Sequence, residues 1–369
     1  MRLEAIELRQ IAMELVEPFE TSGWRESLRP AIIVAIRSEG LTGYGECVAG
    51  AGPWYSYETV ETAWHILKDF CIPAVLGQDI RSAEELQAKL QPIRGHPMAK
   101  AGLEAAFWDL LAQAHNLSLA KLLGGTKDRI ESGISIGIHR DIPALLRAIE
   151  QRCAQGYRRI KLKVKPGWDI EVLRTVRQRF PDIALMADAN AAYTIADLSH
   201  LKRFDELGLL MLEQPLGYDD LIDHSVLQRE LKTPICLDES IKTLDDARKA
   251  LDIGACKIIN IKPGRVGGLL NAKKIHDLCW GRGVPVWCGG MLETGIGRAA
   301  NVALASLPGF VLPNDISASA RYWREDIIEP PFVLERDGTI KVPAGPGLGV
   351  RIVRQRLERV TQRREEFVS

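Results

Sequence analysis

This sequence does not pair its cysteines. All seven (Cys47, Cys71, Cys153, Cys236, Cys256, Cys279 and Cys288) stand apart, an odd number with no CxxC. That speaks against a disulfide framework and a cysteine zinc site, and for reduced thiols in a cytoplasmic protein. The seven histidines include no HxxxH or HxxE pair, so a metal here would be held mainly by oxygen. No apolar run approaches the roughly 20 residues that span a bilayer. The opening MRLEAIELRQ lacks the basic, apolar and small-residue regions of a signal peptide. Neither sign of charge prevails: 48 lysines and arginines face 48 aspartates and glutamates, which gives no footprint for nucleic acid or an anionic membrane. A GxGxxG dinucleotide fingerprint is missing, and GPGLG lies too near the end to open a βαβ unit.

What is present is a 369-residue chain, 46% hydrophobic and 26% charged, long enough for a large core or two. LEAIELRQIAMEL and AIIVAIRSEGLTGYGECVA read as an antiparallel meander, followed by helical patterns in YETVETAWHILKDF and AKAGLEAAFWDLLAQAHNL. From about residue 130 short β-rich runs alternate with amphipathic stretches: GISIGI, RIKLKV, IALMAD, LLMLEQ, PICLD, KIINIK, VPVWCGG and FVLPND. Eight apolar runs spaced by helices predict an α/β fold, a (β/α)7β TIM-type barrel. PFVLERDGTIKV reads as a hairpin around Asp337-Gly338, and RQRLERVTQRREEF as a solvated helix. The expected layout is an α+β capping domain over 1–128, a barrel with the active site over 129–318, and a segment over 319–369 returning to the capping domain.

One stretch, RIKLKVKPG, sets Ile160, Leu162 and Val164 on one face of a strand and Lys161 and Lys163 on the other. Taken alone it reads as a solvated edge. The neighbouring units change that reading. Asp188, Glu213 and Asp238 close the next three runs, and Lys262 closes the one after, so that Lys163, Asp188, Glu213, Asp238 and Lys262 follow at spacings of 25, 25, 25 and 24 residues. Five consecutive β/α units thus present Lys, Asp, Glu, Asp, Lys at the C-terminal mouth of a barrel, where active sites of this fold sit. Three acids around one mouth repel one another unless a cation joins them, and Mg2+ suits carboxylates, waters and substrate oxygens. Such an ion holds a substrate carboxylate and stabilises the enediolate left when an α-proton departs. A lysine beside Mg2+ and a second ammonium, here Lys161, is expected to lose affinity for its proton and serve as base. Lys161 is also placed to touch the substrate carboxylate.

With KLK at 161–163, DAN at 188–190, EQP at 213–215, DES at 238–240 and KPGRVGG at 262–268, the whole chain resembles the enolase superfamily, in its muconate-lactonizing-enzyme subgroup. The wording of ETSGW, MAKAGLE, TPICLDESI and CGGMLETGIGRAANVALASLP resembles the o-succinylbenzoate synthase / N-succinylamino acid racemase family in particular. The resemblance implies Mg2+, or Mn2+ in its place, on Asp188, Glu213 and Asp238, and Lys163 and Lys262 as the two acid/base groups. It further implies Glu239 as the partner that orients Lys262, and a homo-oligomer. The reaction implied is dehydration of 2-succinyl-6-hydroxy-2,4-cyclohexadiene-1-carboxylate in menaquinone biosynthesis, with racemisation of N-succinylamino acids beside it. Dipeptide epimerases usually carry Asp-x-Asp at the end of the eighth strand, whereas this chain has Asp315-Ile316-Ser317; muconate cycloisomerase is the other neighbouring reading. A barrel retired to scaffolding should have lost a ligand or a lysine, and all five are here. For substrate contacts the sequence offers Phe19, Trp24, Trp54 and Tyr55 in capping loops, with Ser135, Asn190, Met291 and Asp315 at the predicted mouth. Arg265, three residues past Lys262, is expected to tune that lysine.

Overall fold

Period-two alternation produces three long antiparallel strands in the computed structural model, which describes every residue from Met1 to Ser369: β1 (Ala5–Glu20), β2 (Arg25–Ser38) and β3 (Leu41–Cys47). Glu39 and Gly40, with φ of 51° and 78°, make the tight turn between β2 and β3 that matches the twist of a hairpin. The helix Pro97–Ala114 lies directly on this sheet. Its contact needs bare glycine: a Cβ on Gly45 would stand 2.2 Å from the carbonyl oxygen of Gly102. Ile6, Ile32, Val34, Leu103 and Phe107 fill the core between the two layers.

The second body is the barrel. Its seven parallel strands follow one another in order around the sheet: β4 (Ile134–Ile136), β5 (Ile160–Lys163), β6 (Leu185–Asp188), β7 (Leu212–Glu213), β8 (Ile235–Leu237), β9 (Ile258–Ile261) and β10 (Val286–Cys288). The eighth run, FVLPND, closes the barrel without becoming a ladder strand. Phe310 bridges to Val286 and Asn314 to Ser132, while Pro313 between them has no N–H to give. Outward-facing Ile160, Leu162 and Val164 join the core under the surrounding helices. In the bore, Met186, Met211, Cys236, Ile258 and Trp287 form an apolar plug.

Two local expectations fail. The turn at Asp337-Gly338 exists and is closed by Glu335 N donating to the Thr339 carbonyl at 2.8 Å, but the ladder of Thr339–Lys341 is formed with Arg129–Glu131 and not along the preceding arm. That arm opens with Pro330 and Pro331, which carry no donors for a ladder. The charged tail is helical only over Arg354–Val360; β11 (Thr361–Val368) then pairs antiparallel with β1 and becomes an edge of the capping sheet. Its arginines and glutamates meet opposite charges on the neighbouring strands, Arg364 with Glu7 and Glu366 with Arg37, so the segment is stable as a strand although nearly every side chain is polar.

Candidate active site

Strand register brings the five expected groups to one end of the barrel. Lys163 lies opposite Asp188, and Asp188 opposite Glu213; Asp238 follows β8 and Lys262 follows β9. All five are buried, the three acids without exposed surface. Lys161 and Lys163 are interior, as their spacing from the acids predicts.

The ammoniums sit on the carboxylates. Lys161 Nζ donates to Glu213 Oε2 at 2.8 Å and lies 2.9 Å from Asp188 Oδ2. Lys163 Nζ donates to the same Asp188 oxygen at 2.6 Å and to Asn190 Oδ1 at 2.8 Å. Lys262 Nζ donates to Asp238 Oδ2 at 2.7 Å and stands over the Tyr55 ring, 4.6 Å from its centroid. Arg265, fully buried rather than solvent-facing, donates to Asp238 Oδ1 and is fixed by the carbonyls of Ile241 and Asn260. Tyr55 OH also donates to Asp238 Oδ1, at 2.9 Å.

Charge explains the titration of these groups. Burial opposes ionisation of Asp188, yet Lys161 and Lys163 hold it well below the usual carboxylate range. Asp238 behaves likewise: Lys262 and Arg265 outweigh its burial. Burial pushes Glu213 up to about 7, and the neighbouring negative charge of Asp188 adds to the rise. Burial works against the charge of Lys161 and Lys262, but the carboxylates prevail and hold both ammoniums well above the ordinary lysine range. The expected repulsion between Lys161 and Lys163 is therefore offset by the Asp188 oxygen they share.

Around this centre, Ser135 Oγ donates to Asp315 Oδ2 at 2.6 Å, and the same oxygen lies 3.7 Å from Lys161 Nζ. Glu239 departs from expectation. Its Oε1 accepts from Asn190 Nδ2 at 2.9 Å, so it supports the Lys163 side of the site and makes no hydrogen bond to Lys262. Asn190 can bridge the two because its backbone turns sharply, with φ of 44°. Gln214, at φ 37°, and Leu292, at φ 58°, also adopt left-handed conformations where β7 and β10 give way to the mouth. Phe19, Trp24, Trp54, Tyr55 and Met291 line the cavity that opens over Lys161, Lys163 and Lys262. Trp54 is 67% exposed and Phe19 8%, so the first belongs to the rim and the second to the wall.

Three further residues belong to the site. Asn260 Nδ2 donates to Glu213 Oε1 at 2.8 Å; Arg159 stands 4.0 Å from Asp315 Oδ1; Trp287 carries both Arg159 and Lys161 on its ring. Asn260 and Arg159 lie two residues before Lys262 and Lys161, and strand alternation alone would have marked them as inward.

A profile of the mandelate racemase / muconate lactonizing enzyme N-terminal domain matches residues 5–124, and one of the enolase C-terminal domain matches 144–356. The chain belongs to the enolase superfamily. Within it, the chain is similar to an o-succinylbenzoate synthase of Geobacillus kaustophilus, 54% identical over 98% of this chain and 96% of that one. It is also similar to an N-succinylamino acid racemase of Thermus thermophilus, 49% identical over 98% of each. The crystal structure of an enolase-superfamily member from Listeria innocua superposes with a TM-score of 0.96 at 43% identity, covering 100% of this chain and 99% of that one. Like its relatives, the chain is an enzyme, and enzymes of this superfamily branch are generally Mg2+-dependent.

The donor set fits such an ion. Asp188, Glu213 and Asp238 offer oxygen alone, from neighbouring strands, which is what a hard divalent cation takes. With lysines on these carboxylates, no three acidic, histidine or cysteine side chains are gathered closely enough to enclose a metal as they stand.

Proposed function

We propose that the chain is an o-succinylbenzoate synthase, dehydrating 2-succinyl-6-hydroxy-2,4-cyclohexadiene-1-carboxylate, and that the same site racemises N-succinylamino acids. The observation that carries this reading is the placement of Lys163 and Lys262. They stand on strands flanking the three acid-bearing ones, and both open onto a single cavity. Asp188, Glu213 and Asp238 would hold Mg2+, which supplies Lewis-acid stabilisation of negative charge on the substrate carboxylate.

In dehydration Lys163, as the free amine, takes the proton α to the carboxylate. It then delivers that proton to the departing hydroxyl, so one C–H and one C–O bond break and water leaves. Lys262 stays an ammonium on the other side, its charge stabilising the electron pair left at the α-carbon. Its position between Asp238 and the Tyr55 ring favours that charged form. In racemisation the two lysines exchange roles, one removing the proton from one face and the other returning a proton to the opposite face. A bare glycine makes room for Lys262: a Cβ on Gly289 would stand 2.7 Å from Lys262 Cε.

The reading disfavours dipeptide epimerisation on a specific contact. Asp315 is already engaged by Ser135 and Lys161, and Ser317 replaces a second acid, so a substrate ammonium would find no free carboxylate there. The deciding experiment is kcat/KM with Mg2+ for the cyclohexadiene substrate and for N-succinylphenylalanine on one preparation. Turnover of the first, lost in excess chelator and restored by Mg2+, is expected. Full turnover in chelator would remove the metal, and no turnover of either substrate would remove the substrate assignment.

A further inference from the structure

We infer that Arg25 and Arg29, on β2 of the capping domain, form an anion subsite for the terminal carboxylate of a substrate's succinyl arm. This rests on the proposed reaction for the identity of the arm, but on the capping wall of the cavity for the site itself. The cavity has two charged ends. At the barrel end lie Lys161, Lys163 and Lys262; at the capping end the same cavity is lined by Arg25 and Arg29. Between them the walls are largely aromatic and aliphatic.

Arg29 is 6% exposed, and its guanidinium is only partly satisfied. Nη2 donates to the Val48 carbonyl, Nη1 lies 3.3 Å from Glu26 Oε1, and Nε has no partner at all. A buried guanidinium N–H without an acceptor is uncommon in a folded protein and marks a place where an acceptor belongs. Arg25, four residues earlier, is exposed and makes no ion pair. Two acids could neutralise this wall. Glu26 already faces Arg29, and Glu58 is engaged by the backbone N–H groups of Met98 and Ala99 at the start of a helix. The formal charges of Arg25, Arg29, Glu26 and Glu58 balance, but burial pushes the Glu58 carboxyl up to about 7, so near neutral pH that acid is partly protonated and the capping end keeps a net positive charge. A planar, forked guanidinium suits a carboxylate. A ligand with one carboxylate at each end, joined by an apolar or ring-bearing middle, matches this distribution; a monocarboxylate of the same length leaves the arginine end without a partner.

The test compares two ligands that differ only in the distal charge, N-succinyl-L-phenylalanine and N-acetyl-L-phenylalanine. Binding is measured by calorimetry in Mg2+ for the intact chain, Arg25→Gln and Arg29→Lys. The expected result is a loss of roughly tenfold or more in affinity for the succinyl ligand in each variant, with affinity for the acetyl ligand held within about twofold. Added salt should weaken succinyl binding to the intact chain more than acetyl binding. If both ligands weaken alike, the arginines only support the loop around Val48, and the subsite is overturned; if neither weakens, it is overturned as well. Turnover is read separately on the same proteins. Selective binding without turnover would defeat the proposed reaction and leave the subsite, whereas turnover with an unchanged succinyl-to-acetyl ratio would do the reverse.

Discussion

Lys163 and Lys262 differ in what surrounds them, and that difference separates their roles. Lys163 is held by Asp188 and by Asn190, whose amide in turn rests on Glu239; Lys262 is held by Asp238 under the Tyr55 ring. Lys163→Ala should lower dehydration by roughly 10²- to 10⁴-fold, the range of a lost general base. A steady-state assay showing near-wild-type turnover would reassign the base. In racemisation, exchange of the α-proton with deuterated solvent, followed by NMR on each enantiomer separately, should fall for one enantiomer in Lys163→Ala and for the other in Lys262→Ala. Glu239 acts at one remove. Glu239→Gln keeps an oxygen for the Asn190 amide and should leave kcat within about threefold, whereas Glu239→Ala should lower kcat by about tenfold with KM little changed. A merely structural Glu239 would lose stability in both variants without that split.

Close approach of the helix Pro97–Ala114 to β3 depends on bare glycine at Gly43 and Gly45 of the strand and at Gly102 of the helix. A Cβ on Gly45 would meet backbone atoms, the Gly102 oxygen at 2.2 Å and the Ala106 nitrogen at 2.5 Å, so no side-chain rotation can relieve it. Gly45→Ala should therefore cost about 1–3 kcal/mol or more, read as a lower urea midpoint. An unchanged midpoint would mean that the helix stands off freely. At this same scale the sequence is most readable. The apolar runs from Ile160 to Cys288 became strands because each is buried on both sides, and strand-end residues 24 or 25 apart share a mouth because each β/α unit repeats one geometry. Thr361–Val368 escaped because its stability as a strand comes from partners more than 300 residues away, Glu7 and Arg37 among them, and not from any apolar pattern of its own. The link from Glu239 to Asn190 escaped for a similar reason. It depends on a left-handed turn at Asn190 that a β-strand reading does not contain. Arg29 is the clearest case: on an alternating strand it reads as ordinary surface, and only the cavity of the folded chain shows what it faces.

Across the whole molecule, the two bodies are joined by buried glutamates of the capping domain seated on helix N-termini. Glu104 accepts from Leu269 N and Leu270 N at the start of the barrel helix Leu269–Gly281. Glu46 accepts from Thr294 N and Gly297 N at the start of Gly295–Ala305, and Glu58 caps Pro97–Ala114 from within the capping domain. Burial pushes all three carboxyls up to about 7, against the lowering effect of the N–H groups they receive. Each folded pKa is thus above its unfolded value near 4.5, so the folded state keeps protons that the unfolded chain releases. Their stabilisation is complete below about pH 4.5 and declines as pH rises through about 7, by on the order of 3 kcal/mol for each group at most. Asp188 and Asp238 act in the opposite sense: their depressed values contribute stability above about pH 4 that disappears as pH falls further. The urea midpoint, measured in saturating Mg2+ so that the metal-site carboxylates stay ionised, should fall steadily from pH 5 to pH 8. Glu104→Gln cannot titrate, and it keeps an oxygen for only one of Leu269 N and Leu270 N, which donate to different carboxylate oxygens; its midpoint should therefore lie below the native one at pH 5 but fall less steeply, so that the gap narrows by pH 8. A slope identical to the native one would mean that Glu104 is already ionised at pH 5, and that the N–H donors of Leu269, Leu270 and Trp108 outweigh its burial.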